Sequence, residues 1–169
     1  MATDPAARPQ SDDRTAALQA EGRQMQSDLL YTEKAQFAAA ERLQQTHRLV
    51  GLTATLLSAA AAASILADHP AVAGVLALSA ALASGVLTFL KPDQQAATHL
   101  AAGRQLGVLR VELRQLVHLD LNHLPEPEVR AALADIASRK ADIDNAAPGT
   151  TERHFKIASA KVDRGDFEP

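Results

Sequence analysis

His118, Asp120 and His123 lie close together in the stretch LVHLDLNHLPEPE, and imidazole and carboxylate are metal-ligand types. Their spacing suits a helix end poorly, and surface histidines near a helix C-terminus need no metal, so none is assigned. Gly103 and Gly107 fall inside a helical pattern with no strand before them, so they form no phosphate cradle. Ser, His and Asp all occur, yet nothing resembles a nucleophile elbow. The absence of cysteine excludes disulfides, thiolate catalysis and Cys-based zinc or iron–sulfur sites. A net charge of −3 supplies no global field for nucleic acid. The expectation is a protein that is not an enzyme, with no catalytic, cofactor-binding or metal site and no nucleic-acid partner.

What chemistry remains is hydroxyl chemistry in an apolar setting. Thr55, Ser58, Ser64, Ser79, Ser84 and Thr88 lie in two apolar runs, Leu49–Ala67 and Ala71–Leu90. Ser84 and Thr88 are one helical turn apart, and in an oligomer they could line a narrow wet path. The competing fate of each hydroxyl is a bond to its own helix carbonyl.

The elements that must hold these groups follow from the runs themselves. Neither run contains a charge. As helices they would each be about 28–30 Å long, roughly the hydrocarbon thickness of a bilayer. A soluble helix of that length normally shows a polar face; here every face is apolar, small or hydroxyl-bearing. With 3% aromatic residues and no Trp, the chain lacks strand-forming content and reads as helical. Asp68-His69-Pro70 makes a turn short enough to force an antiparallel hairpin. The missing intramembrane charge argues against a proton relay or a charge-coupled transporter. The first residues have no apolar h-region, so no signal peptide is expected.

Lys34, Arg42 and Arg48 precede the first run, Lys91, Arg104 and Arg110 follow the second, and the turn has neither Lys nor Arg. The positive-inside rule then puts both termini in the cytoplasm. Small residues recur every four positions: Gly51, Thr55, Ala59, Ala63 and Ala67 in one row, Ala73, Ala77, Ala81 and Gly85 in another. Such rows let helices approach closely in lipid, although alanine richness alone also produces them. His47 sits beside Arg48 at the membrane edge and reads as an interfacial anchor in preference to a pH or headgroup sensor.

The flanks read as long cytoplasmic helices. Ser11 or Asp12 is expected to cap a helix that starts near Asp13 and runs into the first span, with Gly22 as a break point. Lys91-Pro92 marks a kink or a new helix start. His99, Ala102, Leu106, Leu109, Leu113 and Leu116 then form a heptad seam, which packs either within one chain or between chains. Pro125 and Pro127 end it. Val129, Leu133, Ile136 and Ile143 continue the spacing in a helix that can fold back as an αα-hairpin and stops at Asn145–Gly149. A last short helix is expected from Thr151, with Phe155, Ala158 and Val162 on one face.

The fold class expected is thus an all-α membrane protein, a two-transmembrane helical hairpin with long cytoplasmic helices. Its parts are a disordered tail (1–12), a pre-membrane helix (13–48), the hairpin (49–90, spans 49–67 and 71–90), a cytoplasmic helical region (91–163) and a loose tail (164–169).

The order YTEKAQFAAAERLQQTHRLVGL, two spans, then TFLKPDQQAATHLAAGRQLGVLRVEL resembles the SMODS and SLOG-associating two-transmembrane effector family, SLATT. The resemblance covers about Leu30 to Val162. It is carried by Tyr31, Lys34, Ala35, Phe37, Ala38, His47 and Gly51, then by Phe89, His99, Ala102, Leu109 and Glu112. Leu106 departs from it, standing where the family commonly has an aromatic. The resemblance implies a bacterial inner-membrane effector of an anti-phage, cell-suicide system. Such an effector would oligomerise to form a pore or disrupt the membrane, triggered by a separate sensor protein of a nucleotide-second-messenger system. It brings no catalytic residues with it. The alternative is a non-catalytic membrane-anchored scaffold that recruits a cytoplasmic partner.

Overall fold

A computed structural model describes residues 7–121, 123–149 and 160. Among the described residues the helices run in order α1 Ala7–Leu66, α2 Pro70–Leu90, α3 Pro92–Gln115 and α4 Glu126–Ala146, with one turn of π-helix, Leu116–Asp120, after α3. Among the described residues there is no strand. The last short helix expected from Thr151 and the tail 164–169 lie outside the described residues, as do 1–6 of the N-terminal tail.

α1 has 60 residues, about 90 Å of helix at 1.5 Å per residue. It begins at Ala7, ahead of the start expected near Asp13. Pro9 does not prevent this, because in a first turn its missing N–H has no intrahelical acceptor to lose. Gly22 does not break the helix either. It is buried, and a Cβ placed there would meet Val117 Cγ2 at 2.5 Å, so the glycine is a point of close helix approach.

The end of α1 is a Schellman turn. His69 N–H donates to Ser64 O (2.9 Å) and Asp68 N–H to Ile65 O (3.1 Å). Asp68 takes the left-handed φ of 60°, which aspartate tolerates better than most residues. Pro70 then opens α2, where its fixed φ and absent N–H fit the first position. α2 ends on Lys91, also left-handed (φ 43°, ψ 52°), whose N–H donates to Leu87 O. Gln95 Nε2 donates to the orphan carbonyl of Leu90 (2.7 Å), and Pro92 starts α3. Of the two expectations at Lys91-Pro92, the new helix start holds.

The chain folds as two compact units. The first comprises α1 up to Ala38 and the described residues from Leu100 onward. Its core is leucine-rich: Leu29 of α1, Leu106, Leu109 and Leu113 of α3, then Val129, Leu133 and Ile136 of α4. Each such burial contributes about 1.5–3 kcal/mol. The π-turn, closed by Leu121 N–H on Leu116 O (2.9 Å), sets Leu116, Val117 and Leu121 all into this core. Arg139 of α4 grips Glu112 of α3 with both guanidinium nitrogens (2.7 and 3.2 Å). That bonding raises the arginine's pKa further, so the fork carries charge at any physiological pH.

The second unit comprises Ala39–His99: the remainder of α1, all of α2 and the start of α3. Apart from Pro92, its buried apolar side chains among the described residues are alanines, namely Ala39, Ala40, Ala54, Ala61, Ala73, Ala80 and Ala96. Alanine lets helix backbones approach closely with few side-chain atoms between them.

Candidate functional site

The hairpin is built inside out. Ala54 and Ala61 of α1 and Ala73 and Ala80 of α2 are buried, whereas Leu52, Leu56, Val75, Leu78 and Leu82 are 59–67% exposed and Phe89 is 92% exposed. The half-buried Leu57, Ser64, Leu76, Ala83 and Leu87 fill in a spacing of three and four on both helices. Gly51 belongs to this inner face, its Cβ position lying 3.8 Å from Leu87 Cδ1. Both helices contain an 18-residue window of mean hydropathy 2.0, and only 11% of each window is buried. By length and composition each is able to cross a membrane.

Of the two expected small-residue rows, Ala73 is buried and Gly51 half-buried, while Thr55, Ala59, Ala63, Ala67, Ala77, Ala81 and Gly85 are exposed. The hairpin therefore uses a different phase of its alanines for its own packing. The hydroxyls mostly turn inward on their own helices. Thr55 donates to Gly51 O (2.9 Å), Ser58 to Ala54 O, Ser64 to Ala60 O, Ser79 to Val75 O, and Thr88 to Ser84 O (3.0 Å). Ser84 itself is exposed.

At the charged end of the hairpin, Arg42, Arg48 and Lys91 are exposed. His47 is half-buried, with a buried Nδ1 that has no hydrogen-bond partner.

The expected cytoplasmic seam is buried throughout. In the first unit Ala102, Leu106, Leu109, Leu113 and Leu116 are 0–6% exposed, and Leu106 to Leu116 pack within the chain's own core. His99 is buried in the second unit. Sequence reasoning missed the polar half of the first unit. Glu33 is buried and accepts from Arg110 Nε at 2.7 Å, with Lys34 Nζ at 3.3 Å. Lys34 also lies over the Phe37 ring, 5.8 Å from its centre. The same ring lies against Gly103, where a Cβ would come within 2.9 Å of it. A Glu-Lys pair on α1 with an Arg on α3 carries no spacing signal that could have announced this.

Among the described residues no three His, Asp or Glu side chains are gathered where they could hold a metal. His118, Asp120 and His123 are all exposed.

A leucine-cored helical unit together with an apolar, alanine-packed helical hairpin defines a class of small all-α proteins with two helices able to cross a membrane. Residues 18–165 match the model of the SMODS and SLOG-associating 2TM effector domain family 4, and the chain belongs to that family. No curated protein and no solved structure matches it.

Proposed function

We propose that this chain is a bacterial inner-membrane effector of a defence system, crossing the bilayer twice with both termini in the cytoplasm. The single observation behind this reading is the inside-out hairpin, with alanine buried and leucine, valine and phenylalanine exposed. In water such a surface is a severe aggregation hazard, whereas in lipid it is the ordinary arrangement. The basic residues at one end of the hairpin support the orientation.

In the active state several copies assemble through the outward small-residue rows, Thr55–Ala59–Ala63 and Ala77–Ala81–Gly85, and form a pore or disrupt the membrane. A separate sensor protein supplies the trigger by binding one arrangement of the helical unit better than the other. The buried leucine seam already serves the chain's own core, so assembly uses other surfaces. A second reading, a membrane-anchored scaffold, draws support from hydroxyls spent on their own helix carbonyls, which leave little to line a wet path.

The test is membrane potential in bacteria after induced expression, with Ala81→Leu compared at equal membrane insertion. Depolarisation that the variant weakens supports an assembled pore. No depolarisation, even with the sensor co-expressed, favours the scaffold. Release of the protein by an alkaline wash without detergent would refute both.

A further inference from the structure

The hairpin's charged end contains a crevice of about 150 Å³ that its own side chains leave unfilled. Leu43, Thr46 and Val50 of α1 form one wall, Val86 and Leu90 of α2 the other, and Gln95 of α3 lies at its end. The walls are mainly apolar, and the crevice sits where exposed hydrophobics such as Leu49 and Phe89 give way to Arg42, Arg48 and Lys91.

Its edges are built by local backbone chemistry. Gln95 is tied down by its bond to Leu90 O, and Pro92 is buried. Lys91 is held in the left-handed region (φ 43°), which a residue with a Cβ occupies only under strain. It joins Leu90 and Pro92 at the lip. Arg42 stands one turn before Thr46 on the same stripe of α1, and Thr46 Oγ1 donates to Arg42 O at 3.0 Å. Glu41 and Asp93 are the nearest carboxylates in sequence; Glu41 accepts from Gln45, on a different stripe.

We infer that this crevice binds one anionic phospholipid, with an acyl chain between Val50 and Val86 and the phosphate against Lys91 and Arg42. The apolar walls suit a flexible apolar chain, and the exposed Lys91, between the lining Leu90 and Pro92, and Arg42, one turn before the lining Thr46, suit an anionic head attached to it. A soluble phosphate lacks the first and a zwitterionic lipid pairs the second poorly. The site rests on the membrane reading above and adds a specific lipid to it. Because the crevice spans the junction of α2 with α3, lipid bound there would brace the second span against the helix that follows it.

The test is native mass spectrometry of the full chain, extracted in mild detergent and offered equal phosphatidylglycerol and phosphatidylcholine. The expected result is a retained phosphatidylglycerol in preference to phosphatidylcholine, not displaced by soluble glycerol phosphate. Lys91→Gln and Arg42→Gln should each lower its retention by about fivefold, the effect of one basic residue at an anionic surface. Val86→Trp, which fills the crevice, should abolish it, while Val72→Trp, equally bulky at an exposed position of α2 outside the crevice, should not. Equal retention of the two lipids, displacement by glycerol phosphate, or retention unchanged in both glutamine variants would overturn the site and leave the membrane reading standing. A chain that needs no detergent to stay in solution would overturn both.

Discussion

Arg110 Nε donates to Glu33 Oε2 at 2.7 Å, joining two helices across 77 residues of sequence. Glu33 is 5% exposed, so this bond and the contact from Lys34 are what make its burial tolerable. Arg110→Ala leaves the carboxylate with one weaker partner. The expected loss is about 3 kcal/mol, the low end for breaking a buried pair, because the Arg110 side chain keeps 29% of its exposure. Glu33→Gln keeps an acceptor for Arg110 and should melt closer to the parent. Denaturant unfolding of the purified full chain measures both, and equal midpoints for Arg110→Ala and parent would refute the role.

Gly22 and Val117 are in similarly close contact without any charge. Alanine is the better helix former by about 1 kcal/mol, yet Gly22→Ala should destabilise, because its methyl would lie 2.5 Å from Val117 Cγ2. Valine cannot swing away freely, since its branch restricts χ1. An overpacking cost of about 1–3 kcal/mol is expected. Val117→Ala in the same chain should recover most of it, and a double-mutant cycle reads the coupling.

Leu113 is fully buried in the core of the first unit. Leu113→Ala should cost about 2–5 kcal/mol by the cavity it leaves. Leu109→Asp with Leu113→Asp should prevent that unit from folding. Protease resistance of that unit follows this directly. If instead the doubly substituted protein stayed folded and lost only its oligomeric state, the seam would be a contact between copies.

Ala80 and Ala81 lie on different faces of α2. Ala80 is buried against the chain's own hairpin and Ala81 is exposed. Ala80→Leu should lower the amount of correctly inserted protein, because bulk is forced between two close helices. Ala81→Leu should insert normally and weaken self-association. Cross-linking in membranes, normalised to inserted protein, distinguishes them; identical behaviour of the two variants would rule out a distinct outer surface.

Much of this is legible in the amino-acid sequence. The two uncharged runs, the Asp68-His69-Pro70 turn, the restart at Pro92 and the heptad from Ala102 to Leu116 depend on length, charge and local backbone rules, which act within a few residues. The sixty-residue first helix was legible in its course but not in its start, because Pro9 is compatible with a first turn as well as with a tail.

The choice of face was not legible. In an alanine-rich span, rows of small residues exist in several phases, and only the partner helix selects Ala54, Ala61, Ala73 and Ala80 over Ala59, Ala63, Ala77 and Ala81. In α1, Glu33 and Gln36 are buried in the first unit and His47 is half-buried in the second, although a hydrophobic pattern assigns all three to solvent. Glu33 is buried because Arg110 reaches it, and a side chain at Gly22 is disfavoured because Val117 arrives there. Sequence by itself determined which segments are helices and which of them suit lipid, since both depend on local propensity and summed hydropathy. Tertiary structure alone decided which side chains are buried and paired, since that depends on atoms brought together from distant parts of the chain.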